Sequence, residues 1–306
     1  MNKRLSTSTN LMDRYLKTQG VITMTQCIDE CYKAGYRILD MNLCDMSNPG
    51  MPLSLDNWEQ WVDNVGNQAA RLGIELTQSH SAFYNVVKRD AEDRDFREEM
   101  VRRSIIASSR FGVKWMVMHA GTVREEGYSW AESKKKNIAY FAKHLEMGKK
   151  YGVGIAIENL FDPKHDPRNT MRSYTGTLEE LIDLVDSFND PSVGVCWDFG
   201  HGNVASINAP DAIRKLGNRL KCTHINDNHG IWDEHLLPLY GDIAWEPIMR
   251  ALSEINYQYD FAFEITPFVD KIPPHIRQNL LRHTYDVGMY LLRQHRTEEG
   301  SGCCQI

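Results

Sequence analysis

Apolar positions at helical spacing alternate along this chain with short apolar runs, and one joint repeats between them. Helical patterns end at Gly35, Gly73, Gly112 and Gly152, and each glycine leads into a strand-like run: Y-R-I-L-D, I-E-L-T-Q-S-H, V-K-W-M-V-M-H and V-G-I-A-I-E. A glycine there supplies the left-handed residue that closes a helix before the chain turns back. The helix before Gly73 predicts one apolar face from Trp58, Trp61, Val62, Val65 and Ala69. Thr177 followed by Glu180 reads as a capping box, and Pro210 suits the first turn of the next helix. The predicted strands are Leu5–Thr9, Arg37–Met41, Glu75–Ser79, Trp115–His119, Gly154–Glu158, Val193–Asp198, Lys221–His224 and Phe261–Ile265, with a final helix over Pro274–Arg293. Eight βα units predict a closed (β/α)8 TIM barrel, an α/β fold with its site at the C-terminal ends of the strands. The alternative, an open doubly wound sheet, calls for a Gly-rich turn after its first strand, and S-T-S-T-N-L-M is not one. No linker divides the chain, so residues 1–295 read as one domain and 296–306 as a disordered tail.

Composition adds bounds. Among 306 residues, 42% are hydrophobic and 25% charged, as in an ordinary globular protein. A net charge of −6 speaks against long contacts with a phosphate backbone, and the basic run Lys134–Lys136 reads as a solvated helix surface. The N-terminus has no apolar stretch fit for a signal peptide, and no run spans a bilayer. Seven cysteines without regular spacing fit reduced thiols, which together predict a cytoplasmic protein. The terminal C-C-Q-I lacks both the aliphatic position and the basic stretch of a prenylation signal. A homo-oligomer is left open.

The chemistry gathers at the strand ends. Val193–His201, V-G-V-C-W-D-F-G-H, ends a strand on Asp198, turns through Gly200 and presents His201. Four other runs end likewise, on Glu158, His224, Glu264 and His119. Glu158, Asp198, His224 and Glu264, from strands five to eight, would repel one another unless a divalent cation neutralised them; oxygen with nitrogen suits Mn²⁺, Zn²⁺, Co²⁺ or Mg²⁺. His201 is placed to reach a second metal or a substrate oxygen. Asp233 and His235 fall on one side of an extended segment, as a chelating pair requires. His80 and His119 complete a ring of imidazoles, so the mouth is a candidate site for a metal, an anionic substrate or both: His80, His119 and His201 are candidates to bind substrate, and His80, His119, His201, Asp233 and His235 form a candidate additional metal site. Phe83 and Trp232, in loops, are candidates to wall a substrate. Tyr84, Phe199 and Trp245 also fall near the mouth, whereas Trp197 alternates against Asp198 and reads as core. Asn42, Asn159 and Asn226 are candidates for binding hydroxyls. Long connections at Cys44–Leu53, Ser81–Asp95, Phe161–Thr177 and Asp227–Trp245 follow strand ends, the third as a candidate lid.

The segments I-E-N, W-D-F-G-H, H-I-N-D-N-H-G-I-W-D-E-H-L-L-P-L-Y-G-D-I-A-W and F-E-I resemble the xylose isomerase-like barrel superfamily, specifically its sugar phosphate isomerase/epimerase branch. The resemblance implies that Glu158, Asp198, His224 and Glu264 bind the catalytic metal, Mn²⁺ or Zn²⁺ before Co²⁺ or Mg²⁺. It further implies that Glu158 and Glu264 exchange protons on opposite faces of a sugar, through an enediolate, while His201 holds a substrate oxygen. The partner is then a small-molecule sugar, not a nucleic acid or a membrane. An epimerase-type arginine after the metal-binding histidine has no counterpart near Gly230. Endonuclease IV, of the same superfamily, resembles the chain differently. Its three-zinc pattern falls on His80, His119, Glu158, Asp198, His201, His224, Asp233, His235 and Glu264, with Glu234 where its D-R-H motif has arginine. A multinuclear zinc phosphodiesterase and a non-catalytic sugar- or metal-binding barrel are the alternatives.

Overall fold

The structure, a computed structural model, describes residues 4–12, 22–88, 93–124, 127–161, 172–266, 269 and 272–294. Eight parallel strands form the barrel: β1 (Leu5–Ser8), β2 (Ile38–Asn42), β3 (Glu75–His80), β4 (Trp115–His119), β5 (Gly154–Glu158), β6 (Val193–Asp198), β7 (Leu220–His224) and β8 (Phe261–Phe263). Around them lie α1 (Met24–Ala34), α2 (Leu43–Met46), α3 (Trp58–Leu72), α4 (Arg94–Phe111), α5 (Trp130–Tyr151), α6 (Leu178–Asp186), α7 (Phe199–Val204), α8 (Ala209–Leu216), α9 (Trp245–Glu254) and α10 (Pro274–Gln294). The expected single-domain TIM barrel is present: the sheet runs β7-β6-β5-β4-β3-β2-β1-β8, and its two end strands meet through the Ile225–Phe263 bridge, which excludes the open sheet. The prediction for residues 296–306 lies outside the described residues.

Each expected glycine joint is a left-handed helix end, with φ of 116°, 66°, 78° and 73° at Gly35, Gly73, Gly112 and Gly152. The predicted apolar face of α3 buries Trp58, Val62, Val65 and Ala69, with Trp61 at its edge. Thr177 caps α6 by accepting from the Glu180 amide, but the Glu180 carboxylate turns instead to Tyr128 and Arg172. Pro210 stands in the first turn of α8. Lys134 pairs with Asp183 at 2.7 Å and Lys135 reaches Glu132 on the same helix, as a solvated surface does.

The last seam, β7 against β8, is stitched outside the regular ladders. Ile225 N donates to Ala262 O at 2.8 Å, and Glu264 N donates to Ile225 O at 3.0 Å. The Thr223 hydroxyl donates to Asp260 O at 3.0 Å and accepts from the Ala262 amide at 3.3 Å.

Strand alternation sorts the buried residues into two cores. Met116, Met118, Ile155, Ile157, Val195 and Trp197 pack outward in the large cluster that includes the helices, while Val117, Ala156, Cys196 and Cys222 form a small inner cluster. Side chains at every second position share a face. His119, Glu158, Asp198 and His224 therefore share the inner face with those four small residues. Small inner side chains leave room for a polar upper layer. No helix among the described residues is long and apolar enough to cross a membrane.

Candidate metal centre at the barrel mouth

Register brings the strand ends to one level. Asn42 is opposite His80, His119 opposite Glu158, and Asp198 opposite His224. The last pairing depends on a register shift between Val195 and Cys196. Glu264 lies one residue beyond β8, which ends at Phe263 and so is shorter than expected.

Four groups of donors result among the described residues, one of them Glu158, Cys196 and His224, which overlaps the central group from below. Glu158, Asp198, His224 and Glu264 form the central one, His80, His119 and Glu158 the second, and His201, Asp233 and His235 the third. Within each, one donor atom per residue lies within 4.8 Å of the others. Glu158 belongs to three of the groups. Its Oε1 is 2.9 Å from His224 Nδ1, and its Oε2 is 2.8 Å from His119 Nε2 and 3.3 Å from His80 Nε2. His224 Nδ1 also approaches Glu264 Oε2 at 3.1 Å.

Backbone carbonyls orient several of the imidazoles. Nδ1 of His80, His201 and His235 lies 2.9, 2.8 and 2.9 Å from the carbonyls of Ser81, Asn159 and Glu264, so each ring donates there and turns Nε2 toward the centre. His201 Nε2 and His235 Nε2 then approach the same Asp233 oxygen, at 3.2 and 2.9 Å. His224 is reversed: Nδ1 faces the carboxylates, and Nε2 points inward to Asp40 Oδ2 at 3.5 Å.

Burial makes the electrostatics severe. It works to raise Glu158, but the charges of His224 and His119 prevail and hold that carboxyl well below the usual carboxylate range. Asp198 goes the other way: burial, reinforced by Asp233 and Glu158 against His201, pushes it up to about 6. Burial opposes an imidazolium at His235, yet Asp233 and Glu264 carry it up to about 10. At His119 burial prevails and the value falls. Imidazoles and carboxylates are thus locked together by protons that a divalent cation would replace. His119 Nδ1, His224 Nε2 and Asp233 Oδ1 are buried without hydrogen-bond partners. Orphaned polar atoms beside an oxygen-and-nitrogen donor set fit Zn²⁺ or Mn²⁺.

Local turns set the third group. Asp198 caps α7 by accepting from the His201 amide at 2.6 Å. Gly200, expected to permit a sharp turn, serves a different purpose: a Cβ there would lie 1.9 Å from Asn226 Oδ1. Asp233 and His235 converge as expected, but not on an extended segment, because His235 has φ of 49°. Their loop is held by Asp227, whose carboxylate accepts from the amides of Asn228, Leu239 and Ile243 and from the Trp245 indole.

A cavity of about 370 Å³ opens over the centre and is lined by Phe83, Phe161, Asn10, Asn42 and Thr266 besides the ligand candidates other than Cys196, Asp198 and His224. Phe83 stacks edge-on against His119 at 4.6 Å. Trp232 is exposed and stands behind Phe161, 6.0 Å away, so Phe161 occupies the wall position expected of Trp232. Trp197 is buried as expected; Phe199 and Trp245 are also core. Asn159 and Asn226, expected to bind hydroxyls, instead brace Asp198. Asn159 bonds its backbone N and O, and Asn226 Nδ2 donates to its Oδ2 at 2.7 Å. Asn42 caps α2 while lining the cavity. Two contributors escaped the sequence reading. Asn10 donates to Glu264 Oε1 at 3.1 Å, and Asp40 faces His224 from the barrel interior. The expected lid falls largely within residues 162–171, outside the described residues.

Residues 28–282 match the profile of the xylose isomerase-like TIM barrel family. The D-psicose 3-epimerase of Enterocloster bolteae is 39% identical over 93 residues, 30% of this chain and 29% of that protein. An uncharacterized protein of Sinorhizobium fredii, y4fM, is 34% identical over 112 residues, 37% of this chain and 33% of the relative. The matched segments thus span only about a third of these two curated relatives. The IOLI protein, crystallised with a zinc atom, superposes with a TM-score of 0.74 at 18% identity over 96% of this chain and 99% of that one. At that identity the likeness speaks for the fold.

Proposed function

The chain belongs to the xylose isomerase-like TIM barrel family, and from that premise we propose that it is a divalent-metal-dependent isomerase or epimerase of a small sugar or sugar derivative. One observation carries the reading. Glu158 and Glu264 come from β5 and the end of β8, with Asp198 and His224 from the two strands between them, and the four donor atoms lie within 4.8 Å. A sugar carbon seated over that row has a carboxylate on either side. Glu264 is the more open of the two, with its side chain 11% exposed against 1% for Glu158.

In this reading Glu158, Asp198, His224 and Glu264 hold the ion, and Zn²⁺ or Mn²⁺ suits them. When bound, the ion supplies Lewis-acid stabilisation of negative charge developing on the sugar's carbonyl and hydroxyl oxygens. One glutamate removes the proton beside the carbonyl, and the other returns a proton from the opposite side, which inverts the carbon. Asn10 holds one Glu264 oxygen and so fixes the direction of the other. Phe83 and Phe161 wall the cavity with apolar faces and keep bulk water from the exchanging proton. The D-psicose 3-epimerase similarity supports the substrate class.

The test is deuterium exchange. Metal-reconstituted protein is incubated in D₂O with D-fructose, D-psicose, D-tagatose and L-ribulose, and proton loss at the carbons flanking the carbonyl is followed by NMR. Exchange in at least one sugar, abolished by Glu264→Gln, is expected. Failure of the fully loaded protein on the whole panel would sink the isomerase reading for these sugars, and unchanged exchange by the variant would sink the two-base assignment.

A second reading has its own observation. The two flanking donor groups, His80–His119–Glu158 and His201–Asp233–His235, are complete and share the central group's mouth. Three occupied sites would suit phosphodiester hydrolysis, with ions neutralising the attacking and leaving oxygens. Metal analysis that finds about three zinc ions per chain, with His119→Ala abolishing cleavage of an abasic-site oligonucleotide, would establish it over the isomerase.

A further inference from the structure

A second cavity of about 290 Å³ adjoins the first. The two share Phe83, Leu160 and Phe161, so a ligand over the glutamates can extend between the two phenyl rings into the neighbouring space. Their walls differ in charge. Asp45, Glu158, Asp233 and Glu264 line the first cavity, whereas Arg124 is the one charged residue among the described residues that line the second.

Arg124 lies five residues beyond His119, on the chain leaving β4. Its Nη2 donates to the Arg172 carbonyl and the Ser173 hydroxyl, both at 3.2 Å. Those bonds hold the guanidinium but leave its charge uncompensated. Among the described residues no carboxylate pairs with it, and its Nε is buried without a partner. Arg172 next to it pairs with Glu180, and Arg103, Arg110, Arg214 and Arg219 each have an acidic partner. Holding a guanidinium half-buried with no counter-ion costs free energy that a bound anion recovers. Arginine presents a planar fork of donors that fits phosphate and carboxylate oxygens.

We infer that Arg124 is a specificity-determining residue that binds an anionic substituent, a phosphate ester or a carboxylate, at the end of the substrate remote from the metal centre. The sugar part rests on the isomerase reading; the anion-binding part does not. Glutamates act at one pole, the aromatic pair grips the carbon chain between, and the guanidinium selects for charge at the other. Neutral sugars then reach the first cavity but gain nothing from the second.

Calorimetric titration tests this directly, with Mn²⁺-loaded protein and D-fructose 6-phosphate, D-fructuronate and D-fructose as probes. The wild type should bind at least one anionic probe about tenfold or more tightly than D-fructose, and the tighter of the two identifies phosphate or carboxylate as the group read. Arg124→Gln should weaken the anionic probe roughly 10- to 100-fold, the range of a lost charge-assisted hydrogen bond, and leave D-fructose within about twofold. Arg124→Lys, which keeps charge and loses the fork, should fall between. Equal binding of all three probes by the wild type overturns the inference. So does an anionic advantage that survives Arg124→Gln, since the charge is then read by the metal centre. Should the glutamine variant not melt like the wild type, the wild-type probe comparison and the lysine variant decide. Binding through Arg124 without proton exchange on any sugar would overturn the isomerase reading alone, while exchange on neutral ketoses with indifference to charge would overturn this inference alone.

Discussion

Gly200→Ala changes no metal-ligand candidate, yet it should weaken the centre. The added Cβ would lie 1.9 Å from Asn226 Oδ1 and 2.9 Å from Asn228 Nδ2. Ordinary contact starts near 3.4 Å, so the Asn226 amide must retreat by about 1.5 Å. It cannot do so while its Nδ2 donates to Asp198 Oδ2 at 2.7 Å. The lost hydrogen bond to a carboxylate costs about 1.5–3 kcal/mol, and overpacking adds about 1–3 kcal/mol. Alanine's better helix propensity returns about 1 kcal/mol, for a net loss of roughly 2–5 kcal/mol. At the usual unfolding entropy per residue, a chain of 306 residues should melt about 3–8 °C lower. Asp198, released on one side, should bind Zn²⁺ about 10- to 100-fold more weakly, as when other outer partners are removed. Differential scanning fluorimetry of metal-free protein reads the first effect and chelator competition the second. Because both substitutions act through one contact, Gly200→Ala in an Asn226→Ala background should cost little more than Asn226→Ala alone. A single Gly200→Ala variant with unchanged melting and zinc affinity within twofold would refute the reasoning.

Asp40→Asn should weaken Zn²⁺ binding by about tenfold in chelator competition, by removing the carboxylate 3.5 Å behind His224 Nε2; unchanged affinity would show that this separation carries no useful pairing. Thr223→Val removes the hydroxyl that bonds both Asp260 and Ala262 across the β7–β8 seam, and should cost roughly 1–3 kcal/mol in denaturant unfolding. His144 is held down to about 4 by burial, against the pull of Glu98. A depressed folded value means that its contribution is fully present above the ordinary histidine pKa and is lost as pH falls from there through about 4, up to about 3 kcal/mol. His144→Gln should therefore flatten the fall in melting temperature between pH 6.5 and 4 relative to wild type, and parallel curves would count against it.

The barrel was legible because its signals are local. A glycine closing a helix and a polar residue ending an apolar run both follow from rules that act within a few residues, so strand ends such as His119, Glu158, Asp198 and His224 could be read in order. What stayed hidden depends on contacts between distant segments. Asn10 sits in S-T-S-T-N, where nothing marks it out, and acquires its role only when ring closure sets β1 beside β8 and its amide beside Glu264. Asp40 looked like an ordinary strand residue, because only the inner parity of β2 and the reversed ring of His224 make it a partner. Gly200 matters for another reason than a turn: its own backbone needs no glycine, whereas Asn226, just past the end of the neighbouring strand β7, needs the space. His235 adopts a positive φ that its residue type does not announce, so the Asp233–His235 pair was readable while its backbone was not. Arg124 shows the same limit most sharply. A lone arginine in G-T-V-R carries no motif, and its meaning lies in having no carboxylate partner among the described residues and in the cavity it lines. The two functional readings part at a similar point, on whether the Glu158 oxygen beside His80 and His119 is committed to a second ion or free to carry a proton. Strand-end spelling is the same for both. Occupancy of that one oxygen decides between them, because a carboxylate bridging two cations is too weakly basic to take a proton from carbon.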